Sequence, residues 1–159
     1  MCGIAGVVEF AGRPAGSDVL KRMTDAIAHR GPDGEGWHTA GAIALGNRRL
    51  SIIDLSANGR QPMANEGGDV VVTYNGEIYN FRELRAELQA RGHLFKSTTD
   101  TEIIVHAYEE WGDACVERFN GMFAFALADH RQATAPRLLL ARDRYGIKPL
   151  YYTLTTARL

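Results

Sequence analysis

The order of strand-like and helix-like segments predicts an α/β protein of the α+β kind, built on largely antiparallel sheets. Two observations carry the prediction. Short valine-rich or alternating runs recur at residues 3–10, 34–54, 69–74, 122–128 and 138–142, the pattern of half-buried strands. The helical signatures fall in blocks between these runs instead of alternating with them one for one, as a regular βαβ protein would require.

Residues 3–10 read as a buried strand, and Gly12-Arg13-Pro14-Ala15-Gly16 as the turn that ends it. Asp18 can cap a helix whose Val19, Met23 and Ile27 recur at fourfold spacing, with Gly31-Pro32 as the stop. Residues 34–54, with Ile43, Leu45, Leu50, Ile52 and Ile53, suggest two strands of a meander. Residues 56–68 are polar loop, and residues 69–74 are a strand running into Asn75-Gly76. Asn80-Phe81-Arg82-Glu83 has the form of a capping box, after which Phe81, Leu84 and Leu88 share a helix face closed by Gly92. Thr99-Asp100-Thr101-Glu102 repeats the device before a helix through Ile103, Ile104, Ala107 and Tyr108, with Gly112 after it. A short helix is expected near residues 115–119, then two strands, and Pro149-Leu150-Tyr151-Tyr152 reads as the start of another. The chain stops there without a polar tail, the pattern expected of a sequence that continues.

At 159 residues, with 45% apolar and 23% charged residues, one hydrophobic core is expected, needing neither disulfide nor metal. Cys2 and Cys115 lie far apart, so free thiols in a reducing, cytoplasmic setting are expected. The N-terminus has no basic leader or long apolar run. A net charge of −1 with interspersed signs leaves no footprint for nucleic acid or an acidic membrane and favours a small-molecule substrate.

Cysteine at position two has a chemical consequence. Removal of Met1 leaves a free α-amine on the residue that carries the thiol. With reference pKa values of about 7.7–8.0 for such an amine and about 8.5 for a thiol, the amine can take the proton the thiol loses. Read from position alone, Cys2 is equally a small residue at a chain end. His29, His38, His93, His106 and His130 show no metal-ligand spacing with one another or with the cysteines. Cys115, in an apolar helical context, reads as a buried filler. Residues 31–36 lack the Gly-Lys-Ser/Thr element of a phosphate loop.

Cys2-Gly3-Ile4-Ala5-Gly6 resembles the opening of class II glutamine amidotransferases, which are N-terminal-nucleophile hydrolases. It is joined, in order, by His29-Arg30-Gly31-Pro32-Asp33, Arg49-Leu50-Ser51-Ile52-Ile53-Asp54, Gln61-Pro62, Asn75-Gly76-Glu77-Ile78-Tyr79-Asn80, Asp100-Thr101-Glu102 and Gly121-Met122-Phe123-Ala124-Phe125. The Arg-Leu-Ser-Ile and Asn-Gly-Glu-Ile-Tyr-Asn forms, and the run from Arg142 to Tyr152, are similar to the glutamine-hydrolysing asparagine synthetases. The resemblance thus covers nearly the whole of residues 1–159 as one amidotransferase domain.

The resemblance implies a four-layer α/β/β/α sandwich, two antiparallel sheets between helices, with mature Cys2 at a strand end. It implies hydrolysis of L-glutamine to glutamate and ammonia through a γ-glutamyl thioester on Cys2. Asn75 and Gly76 correspond to the oxyanion donors, although Asn-Gly is also the commonest tight-hairpin dipeptide, and both readings are kept. Arg49 corresponds to the arginine that forks onto the substrate carboxylate, with neighbouring Arg48 as the rival assignment. Asp100, helped by Glu77, corresponds to the ammonium site, and backbone around Leu50, Ile52 and Ile53 to the pocket wall. Read alone, Arg49 is a surface strand arginine and Asp100 a helix-start aspartate. His29 to Asp33 reads as a scaffold turn near the site.

No cofactor is expected in this chain. In the family, ATP and Mg2+ act in a C-terminal synthetase domain, whose Ser-Gly-Gly-Xaa-Asp-Ser loop is absent from these residues. The expected partners are L-glutamine and a synthetase domain or subunit that accepts ammonia, with a homodimer left open. The rival reading is a non-catalytic glutamine-binding or regulatory module of the same fold.

Overall fold

The structure is a computed structural model that describes residues 1–10 and 13–159. Gly12, the first residue of the predicted turn, lies outside the described residues. Among the described residues, seven strands and four α-helices are arranged as β1 (Gly3–Val8), α1 (Ser17–Ala26), β2 (Gly34–Ala40), β3 (Ile43–Arg49), β4 (Met63–Ala64), β5 (Val70–Ile78), α2 (Phe81–Ala90), α3 (Thr101–Trp111), α4 (Cys115–Arg118), β6 (Gly121–Asp129) and β7 (Arg137–Arg142). The strands form two sheets, of order β1-β3-β2 and β4-β5-β6-β7, and every pairing is antiparallel.

The period of two along the central strands makes the layers. On β6, Phe123, Phe125 and Leu127 point to the helical side, where they join Leu84, Leu88, Ile104 and Tyr108 of α2 and α3. The alternate residues Ala126 and Ala128 face the other sheet and meet Ile43 and Leu45 of β3. Ala44, between those two, faces outward against Leu20 of α1. The result is α1, three-stranded sheet, four-stranded sheet, then α2 and α3: the four-layer sandwich expected. Each fully buried aliphatic or aromatic side chain in these layers contributes about 1.5–3 kcal/mol.

Toward one end, the layer between the sheets turns polar. Asn47 Nδ2 donates to Gln61 Oε1 and Thr73 Oγ1, both at 3.2 Å, and Thr73 donates to the Gly46 carbonyl at 2.9 Å. Gly46 lets α1 sit close, because a Cβ there would lie 2.6 Å from Thr24 Cγ2.

Several local expectations are corrected. Gly16, not Asp18, is the N-cap of α1, and Asp18 lies in its first turn. The buried face of α1 is Leu20 and Thr24, while Met23 is exposed; Trp37 Nε1 donates to the Thr24 hydroxyl at 3.0 Å and gives that polar residue an inward partner. Leu50, Ile52 and Ile53 leave the sheet for a loop. Asn80 caps no helix with its side chain, which instead bridges Arg118 O and Asn120 N. Glu102 reaches past Thr99 to the Lys96 and Ser97 amides, both at 2.8 Å.

The strand expected from Pro149 does not form. Tyr151 and Tyr152 are exposed, and only the last residues pair, Val8 and Leu159 exchanging backbone bonds at 2.8 and 2.9 Å. Apolar alternation supplies no strand where no edge runs alongside it.

Candidate active site

Cys2 immediately precedes β1, and Arg49 ends β3, the strand β1 pairs with. That pairing sets Cys2 beside the start of the following loop: Leu50 N donates to Cys2 Sγ at 3.4 Å, and the thiol lies 3.6 Å from Leu50 O. The predicted scaffold turn braces the same corner. Arg30 Nε donates to Cys2 O at 3.2 Å, and Asp33 accepts from Ser51 N at 2.8 Å.

Asn75, Gly76 and Glu77 arrive from the opposite sheet. They are not in a turn, which corrects the hairpin half of the Asn-Gly reading. β5 runs straight through them to Ile78, paired with Ala124, Phe123 and Met122. Local dipeptide preference yields here to nine residues of cross-strand pairing. Gly76 has no room for a side chain, since a Cβ would lie 2.3 Å from Met122 O and 2.7 Å from Phe123 Cα.

β4 pairs only with Val71 and Val72, so the later half of β5 has β6 on one side and the cleft on the other. On that free side Tyr74 N donates to Gln61 Oε1 at 2.7 Å, and Ile78 N to Asp100 Oδ2 at 2.9 Å. By the two-residue period, the Gly76 N–H between them points the same way. The buried Asn75 carboxamide makes no hydrogen bond among the described residues and also borders the cleft.

Asp100 is buried at the N-cap of α3. Besides Ile78 N it accepts from Tyr74 OH at 2.7 Å. Burial and the Asp100 carboxylate hold the Tyr74 phenol well above its ordinary pKa, fixing it as a neutral donor. The two neighbouring arginines part company. Arg48 turns to the α1 side, where it pairs with Asp25 at 2.5 Å and with Glu35. Arg49 turns to the cleft, its guanidinium donating to the carbonyls of Ile53 at 3.2 Å, Asp54 and Ser56. The loop that supplies those carbonyls is pinned by Asp54, which accepts from Ser56 N at 3.0 Å and Thr98 N at 2.8 Å. The Ser56 hydroxyl and these amides hold the Asp54 carboxyl down at about 2.

Cys2, Arg49, Leu50, Ile52, Ile53, Asn75, Gly76, Glu77 and Asp100 all line one cleft of about 130 Å³. Sequence reasoning missed Gln61, Tyr74, Thr99, Thr101, Met122 and Lys148, which line it too. Gln61, Thr101, Met122 and Lys148 stood inside matched motifs, whereas Tyr74 and Thr99 stood just outside them. Met1 sits at the cleft beside Cys2. A larger cavity of about 440 Å³, between residues 150–159 and the two sheets, has Arg158 as its one charged lining residue among the described residues. The ionisable groups that chemistry needs are in the smaller cleft.

The other cysteine is inert by environment. Burial, helped by Asp113, pushes the Cys115 thiol up to about 12. Folding brings His93, His106 and Glu109 together, one potential ligand atom from each lying within 4.8 Å of the others, a grouping that sequence spacing did not show. The spacing rules missed it because a loop folds back on a helix to make it. Among the described residues, no helix is long and apolar enough to cross a membrane.

A family model described as "Glutamine amidotransferase domain" matches residues 1–159. The chain is 48% identical over 157 residues to the asparagine synthetase [glutamine-hydrolyzing] 2 of Bacillus subtilis (strain 168), covering 96% of this chain and 20% of that protein. It is 44% identical over 156 residues to asparagine synthetase [glutamine-hydrolyzing] 3 of the same organism, covering 96% and 25%. With a putative asparagine synthetase [glutamine-hydrolyzing] 2 of Methanocaldococcus jannaschii it shares 38% identity, covering 96% and 32%. The chain therefore spans between a fifth and a third of the length of these relatives. Among solved structures, the glutamine phosphoribosylpyrophosphate amidotransferase of B. subtilis superposes with a TM-score of 0.75 at 17% identity, over 97% of this chain and 40% of that one. That likeness is one of fold.

Proposed function

The chain belongs to the glutamine amidotransferase domain family, and on that premise we propose that it hydrolyses L-glutamine to glutamate and ammonia through a thioester on Cys2. The observation that carries the reading is the convergence on one cleft of the Cys2 thiol, the Asn75 carboxamide, Gly76, the Arg49 guanidinium and two carboxylates.

In this mechanism, loss of Met1 frees the Cys2 α-amine and widens the cleft that Met1 borders. The thiol gives its proton to that amine, and Sγ attacks the glutamine side-chain carbonyl. The resulting oxyanion takes hydrogen bonds from the Gly76 N–H and the Asn75 carboxamide, each such donor being worth about 3–4 kcal/mol in the transition state. The protonated amine then delivers its proton to the departing ammonia, and water cleaves the thioester. Arg49 forks onto the substrate α-carboxylate. Glu77, with Asp100 through Oδ1, takes the α-ammonium, and backbone at Leu50, Ile52 and Ile53 forms the wall.

Thiolate and amine supply this chemistry without a cofactor. ATP and Mg2+ belong, in this reading, to an asparagine-synthetase-like domain or subunit that receives the ammonia. A reducing cytoplasm suits the two free thiols.

The intact mass of the purified protein, before and after diazo-oxo-norleucine, a glutamine analogue that alkylates such nucleophiles, tests the reading. A chain lacking Met1 that gains one adduct on Cys2 is the expected result. A processed chain that binds glutamine but takes no label would establish the non-catalytic binding module instead.

A further inference from the structure

On the far side of the four-stranded sheet from Cys2, α3 carries His106 and Glu109 one helical turn apart, so both project from one face. The turn after α2, where Gly92 adopts a φ of +99°, brings His93 onto that face. His93 Nδ1 and His106 Nδ1 lie 3.2 Å apart. Glu109 Oε2 is 3.3 Å from the His106 nitrogen and 3.8 Å from the His93 nitrogen. Four-coordinate zinc with bonds of about 2.0–2.1 Å sets its ligand atoms roughly 3.3–3.4 Å apart, which the two separations to His106 Nδ1 approach and which the 3.8 Å between His93 and Glu109 exceeds by about 0.4 Å. We propose that His93, His106 and Glu109 form a zinc-class divalent metal site, with water in the fourth position.

The surroundings orient each ligand as a metal site requires. Asn65 Nδ2 donates to Glu109 Oε1 at 2.6 Å, which leaves Oε2 facing the imidazoles. The second nitrogen of His93 faces Glu110 Oε2 at 3.4 Å, while Arg91 occupies Glu110 Oε1 at 2.7 Å. The second nitrogen of His106 faces Glu102 Oε1 at 3.8 Å and Glu66 Oε1 at 4.0 Å, while Arg85 approaches Glu102 Oε2 at 3.6 Å. His106 is 1% exposed and packs edge-on against Phe95, which fixes its ring plane. Two ring nitrogens facing each other at 3.2 Å share either one proton or one cation, and four carboxylates surround the pair.

Glu66, Glu102, Glu109 and Glu110 around the two rings favour positive charge here, and a bound metal displaces the proton that the facing ring nitrogens share. Its effect would be to tie the turn at His93 to α3, whose N-terminus carries Asp100 and Thr101 of the cleft.

The test uses tag-free full chain carrying Cys2→Ser, so that zinc has no exposed terminal thiol, stripped by dialysis against chelator. Titration with Zn2+ followed by calorimetry and thermal melting should give one ion per chain and a higher Tm, and Co2+ should give the visible absorption of a tetrahedral centre. His93→Ala and Glu109→Gln lie at partly exposed positions and should leave the circular dichroism unchanged. Each should weaken zinc by more than about 100-fold, since even outer-shell partners are worth about 10–100-fold. No binding by the stripped protein, or binding that neither substitution weakens, overturns the site. Neither readout depends on glutamine hydrolysis.

Discussion

The Tyr74 hydroxyl donates to the Asp100 carboxylate at 2.7 Å, joining the middle of β5 to the N-cap of α3 beneath the cleft. Tyr74→Phe removes one of the two donors to Asp100 Oδ2 while keeping the ring. A hydrogen bond to a buried charge is worth about 1.5–3 kcal/mol, so Tm should fall by about 3–10 °C. KM for glutamine should rise as the carboxylate loses its fixed position. Unchanged melting and KM would mean that this contact positions nothing.

Cys2→Ala should abolish glutamate release while leaving the circular dichroism and melting of the parent, because the thiol makes only long contacts with Leu50. Residual turnover above about one part in a thousand of the parent would exclude Cys2 as nucleophile, since removal of such a group typically costs more than that.

Asn75→Ala removes a carboxamide with no protein partner among the described residues, so stability should change little. Its loss should appear in kcat, by about 100- to 1,000-fold. Gly76→Ala behaves differently, because the added methyl meets Met122 O and Phe123 Cα in the paired strand. It should cost about 1–3 kcal/mol of stability as well as activity. A stable Gly76→Ala protein would contradict the strand register.

Arg49→Lys replaces a fork with a single ammonium and should raise KM for glutamine at least about tenfold. Arg48→Lys should leave KM alone, because Arg48 faces Asp25 and Glu35. Steady-state kinetics on the pair separate the two assignments, and the reverse pattern would exchange them.

The Asp129 carboxyl is held down at about 2, from an ordinary 3.8, by hydrogen bonds from Arg131 that outweigh its burial, with help from Tyr108 OH at 3.0 Å. A depressed acid stabilises the folded state above its unfolded pKa. Asp129 therefore contributes fully above about pH 4 and loses that contribution as pH falls from about 4 to about 2. Urea midpoints measured across that window should fall for the parent and fall less steeply for Asp129→Asn. Parallel curves would show that Asp129 carries none of the acid sensitivity.

The sequence by itself determined the elements whose signals are local. A valine-rich run marked β5, and Gly92 and Gly112, both at positive φ, marked the ends of α2 and α3. The resemblance, carried by short motifs, also named nine residues that share the cleft. Tertiary structure decided what local pattern could not reach. Pairing with β6 kept Asn75-Gly76 in a strand, Trp37 turned Thr24 inward on α1, and residues 150–154 found no edge to join. His93 and His106 are thirteen positions apart with no ligand spacing between them, and they meet only because a turn folds back on α3. Periodicity and capping are written in neighbouring residues, whereas contact between distant side chains depends on which edges and faces pack together.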